Sequence, residues 1–302
     1  MNRKLVQQGS STLMVSLPKK WIEHTHLHKG DEVEIQQLDN TLLISKGKTI
    51  TKRETIINLS NYTESSIRTF IVNAYRAGYD KVTITFQDDT QFQTITHTLR
   101  QYLLGFEITT KEKNKCIIEN ITEPSPDQFD ILLRKIFYNI TLLIEGTKER
   151  LQKKSEFAEY LDISFSIHKY DNFCRRVIAK NNPVGSTSAL YWTFLGILTH
   201  AVREFYHLNK YLDQHKIQLK DTKIIDRISH LFKLLSDGFI HKDIQKLEQV
   251  HELEKEIIYQ ELYSLLGKKE SIIYFHLGNA AKNFYLSASP LMGLLLESKT
   301  SK

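Results

Sequence analysis

The chain has 302 residues, of which 41% are hydrophobic and 25% charged, with 12 Gly, 5 Pro and 2 Cys. Such a composition suits a globular chain of about two domains and excludes wholesale disorder, collagen-like repeats and a disulfide framework. Forty-one Lys/Arg against 35 Asp/Glu leave a net charge of +6, and residues 1–53 alone hold nine basic against five acidic side chains, so the excess is concentrated at the front of the chain.

The opening MNRKLVQQGSST lacks the apolar core of a signal peptide, and the longest apolar run, Ala189 to Leu198, is interrupted by Thr193 and followed by His200 and Arg203. That is well short of the roughly 20 residues a spanning helix needs. No membrane insertion is expected. With only Cys116 and Cys174 present, the cytoplasm is the expected compartment.

Taken in chain order, the first 46 residues predict short strands with reversals at Gly9-Ser10-Ser11 and Leu38-Asp39-Asn40. Alternation of Val33, Ile35 and Gln37, then Leu42 and Ile44, predicts a hairpin of two half-buried strands. Between the two strand pairs, SLPKKWIEHTHL starts a short helix with Pro18 in its first turn, and Lys29-Gly30-Asp31 is expected to stop it. The order is β-β-α-β-β. So small a unit buries little surface by itself, which predicts interlocking with a second copy.

From Arg53 to Asn120 the pattern becomes βαβαββ. Strands are expected at Ile56–Leu59, Val82–Phe86, 106–111 and 116–121. The first helix starts at Thr63 or Glu64 and is closed by Gly78; the second follows Asp88-Asp89. Glu123-Pro124-Ser125-Pro126 reads as a linker. Beyond it, Phe129, Leu132, Leu133, Ile136, Phe137, Ile140, Leu143 and Ile144 keep helical spacing. Five more amphipathic helices are expected at about 155–181, 187–213, 221–238, 241–267 and 270–296, forming either one bundle or two successive three-helix units. The expected domains are 1–48, 49–122 and 126–302.

The basic front is the strongest functional signal. Arg3 and Lys4 open a strand and Lys19-Lys20 open a helix, residues suited to phosphate contacts. Gln7, Ser10, Ser11 and Thr12 can donate hydrogen bonds to phosphate oxygens or base edges. A merely solvated surface would carry the same charges.

Here the residues resemble a family. Arg3-Lys4, the Gly-Ser-Ser turn, Ser16-Leu17-Pro18-Lys19-Lys20-Trp21 and Leu27-x-Lys29-Gly30-Asp31-x-Val33 resemble the AbrB/SpoVT/MazE swapped-hairpin domain, in the form found at the front of archaeal PhoU-like phosphate uptake regulators. The helical remainder is similar to the PhoU domain more loosely, through its expected helices and Asp171-Asn172-Phe173-Cys174-Arg175-Arg176. The resemblance implies a multidomain chain: a small all-β swapped-hairpin barrel that is dimeric, an α+β connector, and an all-α PhoU-like bundle of about six helices. It implies a homodimer through the N-terminal hairpins, with Arg3, Lys4, Gln7, Ser10, Ser11, Thr12, Lys19 and Lys20 on duplex DNA, and phosphate supply as the regulated process.

PhoU-like proteins bind metal through carboxylates one helical turn apart, and this chain departs from the pattern, since Ile167 stands four residues before Asp171. Glu248, Glu252 and Glu256 keep the spacing and are the candidate ligands for a divalent metal; a solvated face relieved by Lys246 and Lys255 is the competing reading. His24, His26 and His28 stand two apart, unlike the i, i+4 pair of a zinc helix, and are expected as turn residues. Cys116, Cys174 and the aromatic stretch Tyr191-Trp192-Thr193-Phe194, with Phe205 and Tyr206, are expected in the core.

G-x-G, G-x-x-x-x-G-K-[ST], G-x-S-x-G and H-E-x-x-H are all missing from the sequence, so no enzymatic activity is expected. A DNA-binding regulator of phosphate uptake is the leading expectation. The alternative is a PhoU-type adaptor that restrains a phosphate ABC transporter, with the barrel mainly for dimerisation. An antitoxin fits less well, because some 180 expected helical residues follow the small domain.

Overall fold

The computed structural model describes residues 2–38, 41–46, 52–122, 125–152, 159–181, 184–219, 221–267 and 270–300. The expected turn residues Asp39 and Asn40, the linker residues Glu123 and Pro124, the start of the helix expected at 155, and the break at Asn182-Pro183 lie outside the described residues. The chain falls into two compact units, Met1–Thr51 and Lys52–Lys302.

The first unit has the β-β-α-β-β order. Strand β1 (Val6–Gln8) pairs antiparallel with β2 (Thr12–Met14), with Gln7 opposite Leu13. Helix α1 (Lys19–Thr25) follows Pro18, whose fixed φ of −66° suits helix entry. It ends earlier than Gly30: His26 adopts a left-handed conformation, and the N–H groups of His26 and Leu27 close the last turn on the carbonyls of Glu23 and Ile22. Strands β3 (Val33–Leu38) and β4 (Thr41–Lys46) form the second hairpin with Ile35 opposite Ile44. Lys46 Nζ donates to the Thr25 carbonyl at 2.9 Å and ties β4 to α1.

This unit has almost no interior of its own. Leu27 is its one buried residue among those described, while Leu5, Leu13, Ile35 and Leu42 are 65%, 63%, 59% and 61% exposed. The alternation read in the sequence is present, but the apolar face it produces is left uncovered within a single chain.

The second unit opens with a four-stranded sheet in the order β5-β6-β8-β7, built from β5 (Glu54–Asn58), β6 (Lys81–Thr85), β7 (Phe106–Lys111) and β8 (Lys115–Asn120). β5 and β6 run parallel, as the connecting helix requires; the other pairs are antiparallel. Helix α2 (Glu64–Arg76) is capped by Thr63, whose hydroxyl accepts from Ser66 N–H. Helix α3 (Asp89–Tyr102) is capped by Asp88, which accepts from Gln91 N–H at 2.8 Å. Ile67, Ile71 and Tyr75 of α2, Ile95 and Leu99 of α3, and Val82, Ile84, Cys116 and Ile118 of the sheet form one core.

After residue 126 the described chain is almost wholly helical: α4 (Phe129–Leu151), α5 (Tyr160–Asn181), α6 (Ser188–His215), α7 (Lys223–Ile240), α8 (Ile244–Lys255), α9 (Tyr263–Leu265) and α10 (Ser271–Thr300). The helix count therefore differs from six. The single helix expected over 241–267 is divided by a π-helical stretch, Glu256–Leu262, a wider winding that apolar periodicity does not reveal. Long helices α6 and α10 pack on each other, α4 packs on α5, and the buried faces of all of them share one core, so the one-bundle alternative describes the packing. Phe137 stacks with Phe194, Phe232 and Phe239 in that core. Of the aromatic stretch, Phe194 and Phe205 are buried as expected, but Trp192 is exposed, lying under the Arg175 guanidinium at 4.9 Å. No described helix is long and apolar enough to cross a membrane.

Candidate nucleic-acid interface

The residues expected to meet DNA all belong to the first unit, and all are exposed. Arg3 and Lys4 lie just before β1, Gln7 in the middle of β1, Ser10 and Ser11 in the turn after Gly9, Thr12 at the start of β2, and Lys19-Lys20 in the first turn of α1. Arg3-Lys4 and Ser10-Ser11 thus sit at opposite ends of the β1–β2 hairpin. Within one chain they form separate groups, one cationic and one of hydroxyls.

Charge in this unit is mostly unspent. Arg3, Lys4 and Lys20 make no ion pair or hydrogen bond among the described residues, whereas Lys19 faces Glu23 at 3.7 Å on the exposed side of α1. An exposed pair of this kind is worth little and is readily exchanged for a phosphate contact. The three expected turn histidines are exposed. His26 holds the helix end, and His28 donates its backbone N–H to Asp31 Oδ2 at 2.7 Å, shaping the turn into β3.

The candidate metal ligands are elsewhere. Glu248 and Glu252 are exposed on α8, and Glu256, at the start of the π-helical stretch, pairs with Arg227. Among the described residues no three His, Cys, Asp or Glu side chains come together as a metal-holding group. Cys116 and Cys174 are buried free thiols, and burial pushes both thiols up, Cys116 to about 11, which leaves them protonated and unreactive.

The hexapeptide Asp171 to Arg176, singled out in the sequence only by resemblance, has a structural role. Asp171 is fully buried and accepts from Arg76 Nη2 at 2.8 Å and Arg175 Nε at 2.9 Å; Asn172 accepts from Arg76 Nε at 2.7 Å and donates to the Tyr102 carbonyl at 2.8 Å. These contacts join α5 to α2 and α3. No sequence signal pairs residues nearly a hundred positions apart.

Neither a curated protein nor a solved structure matches the chain. Residues 6–52 match the family model described as antidote-toxin recognition MazE, bacterial antitoxin, so the two exposed hairpins and α1 make up an N-terminal domain of the MazE/AbrB type.

Proposed function

We propose that the protein is a dimeric DNA-binding transcriptional regulator without catalytic activity, acting in the cytoplasm. One observation carries this reading: a MazE/AbrB-type domain whose apolar residues Leu5, Leu13, Ile35 and Leu42 lie uncovered in the single chain, in the same unit as Arg3, Lys4 and Lys20, which make no ion pair among the described residues. Interlocking two copies covers the apolar face and doubles the positive charge on one small surface. Arg3, Lys4, Lys19 and Lys20 from both copies then take phosphates, and Gln7, Ser10, Ser11 and Thr12 supply hydrogen bonds to the backbone or base edges. In this reading the helical region serves as sensor or partner-binding module, and phosphate uptake is the process regulated, a reading supported by the loose resemblance of its helices and of Asp171 to Arg176 to the PhoU domain.

The test is fluorescence anisotropy of the full chain on duplex DNA from phosphate-transport promoters across a salt series. Each phosphate contact contributes a slope of about −0.9 in log K against log salt, so four to eight contacts predict roughly −4 to −7, flattening in an Arg3→Ala/Lys4→Ala variant. A shallow slope that the variant leaves unchanged would refute the interface and favour the adaptor reading, in which the hairpins only dimerise.

The antitoxin reading has one specific observation in its favour, the family description of residues 6–52. It requires a toxin partner. A growth-inhibiting neighbouring gene product that co-purifies with the chain and is neutralised by it would establish that reading instead.

A further inference from the structure

Within the second unit, α2, α3, α5 and α6 enclose a cleft of about 770 Å³, a volume in the range of small-molecule sites. Four guanidinium groups line it: Arg68 and Arg76 from α2, Arg175 from α5 and Arg203 from α6. Glu64 is the one acidic side chain among the described lining residues, and it is paired with Arg68 at 2.8 Å. Beneath the wall, Asp171 holds Arg76 and Arg175 by one hydrogen bond each, which fixes their planes and leaves further N–H groups on both. Arg203 is exposed and makes no ion pair or hydrogen bond among the described residues.

Four cations against two carboxylates leave an excess of two positive charges around one concave space. The repulsion registers on the neighbouring groups. His168, also on the wall, is pushed down to about 4, by burial first; Asp171 pulls it up, and Arg203, Arg76 and Arg68 each push it down. Arg76 is itself lowered, by burial first and then by Arg175 and Arg203 against the support of Asp171. Such a cluster is costly when empty and is relieved by a dianion. Guanidinium groups present paired N–H donors that match phosphate oxygens, and they keep their charge at all physiological pH values. The adjoining wall is aromatic: Tyr102 and Phe165 meet edge to face at 5.4 Å, which offers a flat surface to an organic group.

We propose that this cleft is a binding site for a small phosphorylated ligand that carries at least two negative charges. The inference stands apart from the DNA reading, because every residue it uses lies between Glu64 and Arg203 in the second unit.

The experiment is isothermal titration calorimetry of the full chain with ATP, pyrophosphate and inorganic sulfate, beside Arg203→Gln and Arg68→Gln variants, with thermal melting of each. Arg203 is exposed and makes no ion pair or hydrogen bond among the described residues, so Arg203→Gln is expected to melt with the wild type. The expected result is saturable binding of ATP or pyrophosphate, at least tenfold tighter than sulfate, with a raised melting temperature and at least a tenfold loss in Arg203→Gln. Absence of heat with both phosphate probes overturns the proposal. So does equal response to sulfate, or binding that Arg203→Gln and Arg68→Gln leave unchanged. Duplex DNA binding lost in Arg203→Gln, with no response to the small probes, also overturns it and makes the cleft part of a nucleic-acid surface.

Discussion

Arg176 on α5 donates through Nη2 to Asp80 Oδ1 at 2.7 Å, and both residues are buried. Asp80 follows the turn that ends α2, so this ion pair fastens the helical bundle to the sheet-containing part of the second unit. The same guanidinium donates through Nη1 to the carbonyls of Tyr75 and Tyr79 at 3.1 and 2.7 Å and lies over the rings of Tyr75 and Phe106. Asp80 in turn accepts from Lys180 Nζ at 2.6 Å and from Arg53 N–H at 3.1 Å. The joint is polar, and each charged partner is held by more than one hydrogen bond.

Asp80→Ala leaves the Arg176 charge buried without its carboxylate. Breaking a buried pair by removing one partner costs about 3–5 kcal/mol, so urea unfolding of this variant is expected to lose stability on that scale. A loss below about 1 kcal/mol would show that the joint is not held by this contact.

Stability is expected to fall in two stages on acidification. His168, pushed down to about 4 by burial first and then by nearby arginines against Asp171, stays neutral in the fold where the unfolded chain already binds a proton. Its contribution is therefore lost as pH drops from the ordinary histidine value near 6.5 towards 4. Burial of Asp80 is outweighed by the Lys180 and Arg53 hydrogen bonds and by the charges of Lys180 and Arg176, so its carboxyl is held below the usual range and its contribution is present above that range and lost below it. A single group changes stability by at most about 1.4 kcal/mol per pH unit. His168→Asn is expected to flatten the first stage alone in unfolding curves at pH 7, 6 and 5; an unaltered slope contradicts the assignment.

Gly105 and Gly9 share a left-handed backbone, at φ +74° and +73°, but not their surroundings. A Cβ at Gly105 would stand 2.1 Å from the Thr122 carbonyl oxygen, whereas at Gly9 nothing lies within 4 Å. Gly9→Ala carries only the backbone penalty of about 1–2 kcal/mol, and Gly105→Ala that penalty plus a clash with main chain. Thermal melting is expected to rank Gly105→Ala well below Gly9→Ala, and equal melting would refute the close approach.

Leu13 and Leu43 are 63% and 51% exposed in the single chain. If a second copy covers them, Leu13→Asp/Leu43→Asp halves the mass measured by light scattering and abolishes DNA binding, because the dimer brings the cations together. Retention of the wild-type mass would place the contact between copies elsewhere.

Local physics was legible in the sequence. Thr63 and Asp88 cap α2 and α3 because a side-chain oxygen three residues before a free N–H suffices, and the βαβαββ order follows from where apolar spacing changes from two to three and four. The small domain at the front was legible too, from a dense run of residues that residues 6–52 match as a family. The π-helical stretch at Glu256–Leu262 was not, since one extra residue in a turn leaves periodicity nearly intact. Nor was the exposure of Trp192, because helical spacing sets a residue's face and the neighbouring elements decide what covers it. Arg68, Arg76, Arg175 and Arg203 are scattered over three helices and nothing in the sequence links them; only packing of α2, α5 and α6 converges them on one cleft and sinks Asp171 beneath. Short-range hydrogen bonding and periodicity act along the chain, whereas a site built from distant charges exists only once burial has brought them within reach of each other.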